Sequence, residues 1–326
     1  MRISVVMATY NGEAHVAEQL ASILANDRPP DELIVIDDCS TDGTVGLVKQ
    51  LLDGRSGMDV IIEVNTTNLG PTAAFVKGLL RSTGDIVLTS DQDDHWAPEK
   101  IARMLDVFIA DPKVVMVYSD GQLTDAALVP SGATIFSTRR RPHLHLGDKR
   151  DPLEIAANPD IKGCTMAVRG PLLRELLART GPSFQPYWGH DHWIALFAFG
   201  LGKVVALNTP LIQHRIHAHN TSAGMRLRSW SPTDLRKWTR GIRMQDTDHF
   251  TQRYRIALQQ ADHYGPAFST PLKKALHNLL DLSQRREQLR RLSFFARAKE
   301  VLKIHRKGSY KEHYNGLLTM LRDLFL

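Results

Sequence analysis

Apolar runs of strand length alternate with segments of helical period through the first third of the chain. "ISVVMA" (3–8), "ELIVID" (32–37), "DVIIEV" (59–64), "DIVLTS" (85–90) and "VVMVYS" (114–119) read as strands. Between them "EAHVAEQLASILAN", "TDGTVGLVKQLLDG", "PTAAFVKGLLRS" and "PEKIARMLDVFIAD" repeat apolar residues near i, i+3, i+4 and i+7, the spacing of a helix with one buried face. A β-α-β-α rhythm of this kind predicts a Rossmann-like, mostly parallel sheet with helices on both faces. Ligands of such sheets bind beyond the carboxyl ends of the strands.

From about Arg226 the rhythm stops. "PLKKALHNLLDLSQRREQLRRLSFFARAKEVLKIHR" carries Leu272, Leu276, Leu279, Leu289, Leu292, Phe295, Ala298 and Leu302 at near-helical spacing, with Arg and Lys on the other faces. Together with 232–262 and the closing "YNGLLTMLRDLFL", it predicts an extension of two to four amphipathic helices. The expected division is an α/β domain over 1–225 and a basic helical extension over 226–326.

Polar clusters follow the strands. "ATYNG" (8–12) follows the first, "DDCSTDGT" (37–44) the second and "SDQDDHW" (90–96) the fourth. Ser40 or Thr41 also suits the N-cap of the next helix. Asp37 and Asp38 are adjacent carboxylates at a strand end, which repel unless hydrogen-bond donors or a cation face them. No G-x-G-x-x-G follows the first strand and no G-x-x-x-x-G-K-[ST] occurs, so the phosphate cradles of dinucleotide and P-loop proteins are missing.

Asp91, Asp93 and Asp94 place three carboxylates in four positions at the end of a strand read as buried. They raise one another's pKa unless a cation shares them, and oxygen ligands of this type suit Mg²⁺ or Mn²⁺. An EF-hand is excluded, since its sixth position would be Trp96 and its twelfth Ala102. The remaining alternative is a solvated acidic turn before a helix, with Asp94 as its cap.

Composition narrows the classes. With 326 residues, 43% apolar and 23% charged, the chain can bury one large α/β core or two smaller ones. Cys39 and Cys164 lack metal-type spacing, which argues against a disulfide framework or a cysteine zinc site. The N-terminus has too short an apolar run for a signal peptide, and no stretch of eighteen uncharged apolar residues occurs. A cytoplasmic protein, or one peripheral at the inner face of the cell membrane, is expected. Residues 226–326 carry 21 Lys and Arg against 9 Asp and Glu, where the preceding 225 carry 20 against 26. For that basic extension three readings stay open: packing on the α/β domain or in a homodimer interface, contact with an anionic membrane, and nucleic-acid binding. Few aromatics interleave with the basic residues, so no nucleic-acid partner is expected.

"SVVMATYNG", "ELIVIDDCSTDGT", "NLGPTAAFVKGL", "GDIVLTSDQDDHWAPEKI", "GCTMAV", "WGHDHW" and "HRIHAHNTSAG", in this order over residues 1–225, resemble the inverting nucleotide-sugar glycosyltransferases of family 2, with the GT-A fold. The "SDQDD" and "GHDHW" forms are similar to bacterial rhamnosyltransferases. The resemblance implies that Asp93 ligates Mn²⁺ or Mg²⁺ at the donor diphosphate, with Asp91 at the ribose or the metal's water shell. It also implies that Asp38 bonds the pyrimidine base and that Thr9 and Tyr10 pack against it, with Asn68 and Gly70 in a loop beside the nucleotide. Asp94 supports the site or approaches the acceptor. Many relatives carry Asn where this chain has Val76 or Lys77.

In "PYWGHDHWIALFAFG" (186–200) Asp191 is flanked by His190 and His192 and bracketed by Trp188 and Trp193. On its residues alone it reads as a helix N-terminal acid; the resemblance implies the general base that takes the acceptor's proton. Trp188 and Trp193 offer flat faces to an acceptor sugar or pack in the core. "HRIHAHN" contributes His214, His217 and His219; the resemblance matches His217 to a metal ligand, and Arg215 is expected to face the diphosphate. Gly163, Cys164 and Thr165 fall at an acceptor-facing turn, with Cys164 a small buried residue.

The expected activity is metal-dependent transfer of a sugar, L-rhamnose from dTDP-L-rhamnose or a hexose from a UDP donor, to a glycan hydroxyl, possible acceptors including lipid-linked ones, in surface polysaccharide assembly. A catalytically silent scaffold relative is the alternative from another class, and the joint presence of Asp38, Asp91, Asp93, Asp191 and His217 argues against it.

Overall fold

The computed structural model describes residues 1–138, 150–217, 245–289, 291–306, 320 and 323–324. The chain forms two compact units, one of Met1–Arg150, Asp160–Gln185 and Gly189–Ala223, the other of Asp151–Pro159, Pro186–Trp188 and Gly224–Leu326.

The element order is β1 (Ile3–Thr9), α1 (Val16–Leu24), β2 (Glu32–Asp37), α2 (Thr44–Leu52), β3 (Asp59–Val64), α3 (Pro71–Arg81), β4 (Ile86–Ser90), β5 (His95–Trp96), α4 (Lys100–Ala110), β6 (Val114–Thr124) and β7 (Pro130–Thr134). Then come α5 (Pro152–Ala157), β8 (Met166–Arg169), α6 (Gly170–Thr180), α7 (His190–Leu201), β9 (Lys203–Arg215), α8 (Gln245–His263), α9 (Thr270–Leu289) and α10 (Phe294–Arg306).

The first unit is built on one sheet in the order β3-β2-β1-β4-β8-β6-β9-β5, with β7 on β6. The four strands β3, β2, β1 and β4 run parallel. Every residue of β2 is buried, as expected of a Val/Ile-rich strand covered on both faces. α1 turns Val16, Leu20 and Ile23 inward at i, i+4 and i+7. α3 starts with Pro71 and approaches the sheet closely at Gly78, where a Cβ would meet Val6 Cγ1 at 2.6 Å. Only glycine allows that approach.

Two features depart from the sequence reading. β8 runs antiparallel to both β4 and β6, which makes the sheet mixed. Ser40 and Thr41 do not cap α2: Asp42 Oδ1 accepts from the Thr44 N–H, while Ser40 Oγ accepts from the Asn11 N–H and the Thr41 N–H donates to Asn11 Oδ1. These two residues tie the loop after β2 to the loop after β1.

The chain leaves β1 for β2 and β3 and returns to β4 on the other side of β1. The order therefore reverses between β1 and β4, a switch point where the departing loops diverge and leave a crevice.

In the second unit, α8 and α9 pack together and α5 lies against α9. α9 buries Leu272, Leu276, Leu279 and Leu289 of the predicted stripe, with Leu282 beside them. Arg286 and Asp323 form a buried two-bond ion pair at 2.6 and 2.8 Å. α10 does not follow the predicted stripe: it buries Val301 and Ile304 beside Leu282 and Leu289, and leaves Phe295 85% and Leu302 51% exposed. The predicted helical stretches over 232–244 and 314–319 lie outside the described residues. Among the described residues no helix is long and apolar enough to cross a membrane.

Candidate active site

A cavity of about 400 Å³ opens at the switch point. Thr9 and Tyr10 reach it from the end of β1, Asp38 from β2, Asn68 from the loop before α3, and Asp91 and Asp93 from the turn after β4. Lys162, Gly163, His190, Asp191 and His214 complete the wall. A volume of this order is typical of small-ligand sites.

Asp37 and Asp38 are both buried, and each is met by donors. Asp37 accepts from the Thr9 hydroxyl (2.8 Å) and from the Ser40 N–H and hydroxyl (2.8 and 2.6 Å). Asp38 accepts from Asn65 Nδ2 (2.8 Å), the Leu69 N–H (2.9 Å) and the Gly70 N–H (2.7 Å). Gly70 holds φ 84, which only glycine adopts readily, so the loop can turn both amides onto one carboxylate. Lys77 donates to Asn65 Oδ1 at 2.7 Å and pairs with Glu63, bracing that loop from α3.

The acidic turn is assembled by strand pairing. β5 follows the Asp91–Asp94 turn immediately and pairs antiparallel with β9, His95 opposite Gln213 and Trp96 opposite Ile212. One step back from β5 and one step on along β9, His214 meets Asp94 at 2.8 Å, and Arg215 Nε donates to the Asp93 carbonyl at 2.7 Å. His217 Nε2 lies 2.8 Å from Asp93 Oδ2, and its ring tilts against His15 at 5.0 Å. "SDQDDHW" and "HRIH", about 120 residues apart, thus become one site.

Ligand atoms of Asp91, Asp93 and Asp94 all lie within 4.8 Å of one another. Withdrawal from water, then the Asp94 and Asp93 charges, push Asp91 up to about 7. Burial and the Asp94 charge raise Asp93 as well. Burial alone would raise Asp94, but the His214 charge and hydrogen bond, with the Cys164 thiol and the Arg215 N–H, outweigh it and hold Asp94 below the usual carboxylate range. His214 is correspondingly raised: Asp94 overcomes the effect of burial. Asp94, Cys164 and His214 also bring ligand atoms within 4.8 Å. Burial pushes the Cys164 thiol well above its ordinary value, which disfavours the thiolate that a nucleophile needs.

Asp191 enters from the first turn of α7, where Oδ1 accepts from the His192 N–H at 2.7 Å. His190, next to it, stacks on Phe75 with ring centroids 4.1 Å apart, and burial lowers its pKa toward the neutral imidazole. Gly163 lies against both residues: a Cβ there would stand 3.0 Å from His190 Nε2 and 3.6 Å from Asp191 Cβ.

Several expected site residues stand elsewhere. Trp193 is fully buried between Phe184 and Phe197, at centroid distances of 4.8 and 4.6 Å, and presents no face to an acceptor. Trp188 belongs to the second unit, where its indole N–H donates to the Arg253 carbonyl at 3.1 Å and the Arg253 guanidinium covers its ring. Arg215 is 3% exposed, with its guanidinium on Asp93 O, Ala126 O and Glu18, so it braces the turn and does not line the cavity. Asp94 is fully buried on His214 and supports the site from inside; it is not an acceptor contact. His219 lies outside the described residues.

Three residues went unread. Gln92, the middle of D-x-D, accepts from the Tyr10 N–H (2.8 Å) and donates to the Tyr10 carbonyl (3.0 Å), clamping the loop after β1 to the turn after β4. His15 backs His217. Lys100 is fully buried, donates to the Cys164 carbonyl at 2.6 Å and lies 4.0 Å over the Trp96 ring. Neither burial nor these partners could be read from a lysine on an amphipathic helix.

Residues 4–150 match glycosyl transferase family 2. Among similar proteins, the putative teichuronic acid biosynthesis glycosyltransferase TuaG of Bacillus subtilis is 34% identical over 106 residues, 32% of this chain and 40% of that protein. The poly(ribitol-phosphate) beta-N-acetylglucosaminyltransferase TarS of Staphylococcus aureus is 34% identical over 104 residues, 31% of this chain and 18% of its own length. The matched segments span at most half of these relatives, 50% in the putative glycosyltransferase EpsE of Bacillus subtilis. In fold, the structure of S. aureus TarS 1-349 in complex with UDP-GlcNAc superposes with a TM-score of 0.54 at 17% identity, covering 96% of this chain and 89% of that one. The architecture is the GT-A fold, with additional C-terminal helices.

Proposed function

With residues 4–150 belonging to glycosyl transferase family 2, we propose that this protein is an inverting hexosyltransferase that moves a sugar from a nucleoside diphosphate donor to a glycan hydroxyl in bacterial surface polysaccharide assembly. The observation that carries the reading is one cavity lined by Asp38, Asp91 and Asp93 from strand ends and by Asp191 from a helix start. The donor's base lies on Asp38 and the Thr9–Tyr10 stretch, and its ribose on Asp91. Tyr10, 47% exposed at the rim, has a free face for that base.

Asp191 acts as general base. It takes the proton of the acceptor hydroxyl as that oxygen bonds to the anomeric carbon; the bond from that carbon to the diphosphate oxygen breaks, and its electron pair leaves with the nucleoside diphosphate. One displacement inverts the anomeric centre, and no covalent nucleophile is required.

The donor set fits a hard divalent cation. Asp91, Asp93 and Asp94 bring carboxylate oxygens within 4.8 Å of one another, an oxygen-donor set of the kind such ions take. Asp93 and His217 would hold Mn²⁺ or Mg²⁺, with Asp91 beside them. When bound, such an ion offsets the charge developing on the departing diphosphate. His214 and Arg215 keep the Asp93–Asp94 turn in register for this task.

The first donor assignment is dTDP-L-rhamnose, from the "SDQDD" and "GHDHW" forms. A UDP-linked hexose is the second reading, supported by the relative TarS, whose structure is described in complex with UDP-GlcNAc. Calorimetric titration with dTDP and with UDP, each with and without Mn²⁺, separates them. Metal-dependent binding of one nucleotide selects the donor class, and Asp93→Ala should abolish the metal dependence. Binding of neither nucleotide would count against the reading as a whole.

A further inference from the structure

α10 leaves two phenylalanines and a leucine facing outward. The helix buries Val301 and Ile304 beside Leu282 and Leu289, while Phe294 is 51%, Phe295 85% and Leu302 51% exposed. Phe295 is the most exposed large apolar side chain among the described residues. Phe295, Lys299, Leu302 and Arg306 fall at i, i+4, i+7 and i+11, so they share one side of the helix. Large apolar side chains exposed together and rimmed by polar residues mark interaction surfaces.

The charges on that face indicate its partner. Residues 291–306 carry Arg291, Arg297, Lys299, Lys303 and Arg306 against one carboxylate, Glu300, which already pairs with Lys303 at 2.9 Å. Arg291, Lys299, Lys303 and Arg306 are exposed, and Lys299 and Arg306 share the helix side of Phe295 and Leu302. A second copy meeting this face with its own would place the two sets of cations against each other, which is repulsive. Aromatic and aliphatic side chains flanked by Lys and Arg on one helix side suit instead the boundary between acyl chains and anionic headgroups.

We propose that Phe295 and Leu302, with Arg291, Lys299 and Arg306 nearby, form a docking surface for an anionic lipid bilayer. The apolar side chains enter the headgroup boundary and the cations hold lipid phosphates. The inference is independent of the transfer reaction, since none of these residues lines the cavity.

The test is co-sedimentation of the full chain with vesicles of phosphatidylcholine alone or of equal parts phosphatidylcholine and phosphatidylglycerol, with no turnover required. The protein should bind the phosphatidylglycerol vesicles, more weakly as salt is raised, and not the neutral ones. The double variant Phe295→Ser/Leu302→Ser and the triple variant Arg291→Gln/Lys299→Gln/Arg306→Gln should each weaken binding about tenfold or more, with unchanged thermal unfolding and nucleotide binding. Failure of the unaltered protein to bind phosphatidylglycerol vesicles, or wild-type binding by both variants, would overturn the proposal. So would a dimer in sedimentation velocity that Phe295→Ser/Leu302→Ser dissociates while vesicle binding stays unchanged, because the face would then belong to a second copy.

Discussion

His214 Nδ1 lies 2.8 Å from Asp94 Oδ1, and both side chains are almost wholly withdrawn from water. The pair joins the acidic turn after β4 to the end of β9, and the two halves of the site depend on it for register. Removing one partner strands the other in the interior, which typically costs about 3–5 kcal/mol. Asp94→Asn and His214→Asn should each lower stability by an amount of that order. The double variant should lose less than the sum, leaving a coupling of about 1–3 kcal/mol in a urea-unfolding cycle. Strict additivity would mean that the contact contributes no coupling.

Asp191→Asn keeps the size of the side chain and its acceptor oxygen for the His192 N–H but cannot take a proton. Turnover should fall by about 10²–10⁴, while donor affinity measured by calorimetry stays near wild type. Equal turnover would remove Asp191 from the role of base.

Of the four acids proposed for the chemistry, Asp38, Asp91 and Asp93 stand at strand carboxyl ends, where sheets of this kind bind ligands, whereas Asp191 alone reads as a helix N-terminal acid and owes its proposed role to the family resemblance. What could not be read was direction. Asp93 and Asp94 are adjacent and chemically identical, yet one lines the cavity and the other points into the core onto His214, a partner 120 residues away in the chain. Arg215 was misread for the same reason. Trp193 went to the core because Phe197 stands one helical turn away and Phe184 closes over it, a contact no local pattern announces. The parallel strands announced themselves as long apolar runs, whereas four-residue β8 owes its antiparallel direction to neighbours distant in the chain.

Gly163→Ala tests how tightly the base is seated. The new Cβ would lie 3.0 Å from His190 Nε2 and 3.6 Å from Asp191 Cβ. The backbone cannot retreat easily, because the Gly163 carbonyl accepts from the Thr89 hydroxyl at 2.6 Å and the Cys164 carbonyl from Lys100 at 2.6 Å. His190 must therefore yield, carrying the start of α7 with it. kcat should drop about ten- to a hundredfold with the donor KM little changed. Adding His190→Ala should recover part of the loss; no recovery would place the strain elsewhere.

Lys100 predicts an alkaline gain in stability. Burial, the largest influence, lowers its pKa from 10.5 to about 8, against smaller opposing effects from Cys164, Asp94 and Asp91. The unfolded chain therefore keeps this proton up to about 10.5 while the folded chain releases it near 8. Between those values the unfolded state binds more protons, so stability rises with pH across the window. Below it, the folded protein carries a desolvated cation that costs about 3 kcal/mol at ~1.4 kcal/mol per pH unit. Lys100→Met retains an apolar stem against Trp96 and has no proton to lose, although the Cys164 carbonyl forfeits its donor. The difference in unfolding free energy, wild type minus variant, should become more positive by up to about 3 kcal/mol from neutral pH to the upper end of the window. Taking the difference cancels the titration of tyrosines and other groups common to both proteins. Urea-unfolding midpoints at neutral and alkaline pH supply the measurement, and a flat difference would mean that Lys100 keeps an ordinary lysine pKa in the fold.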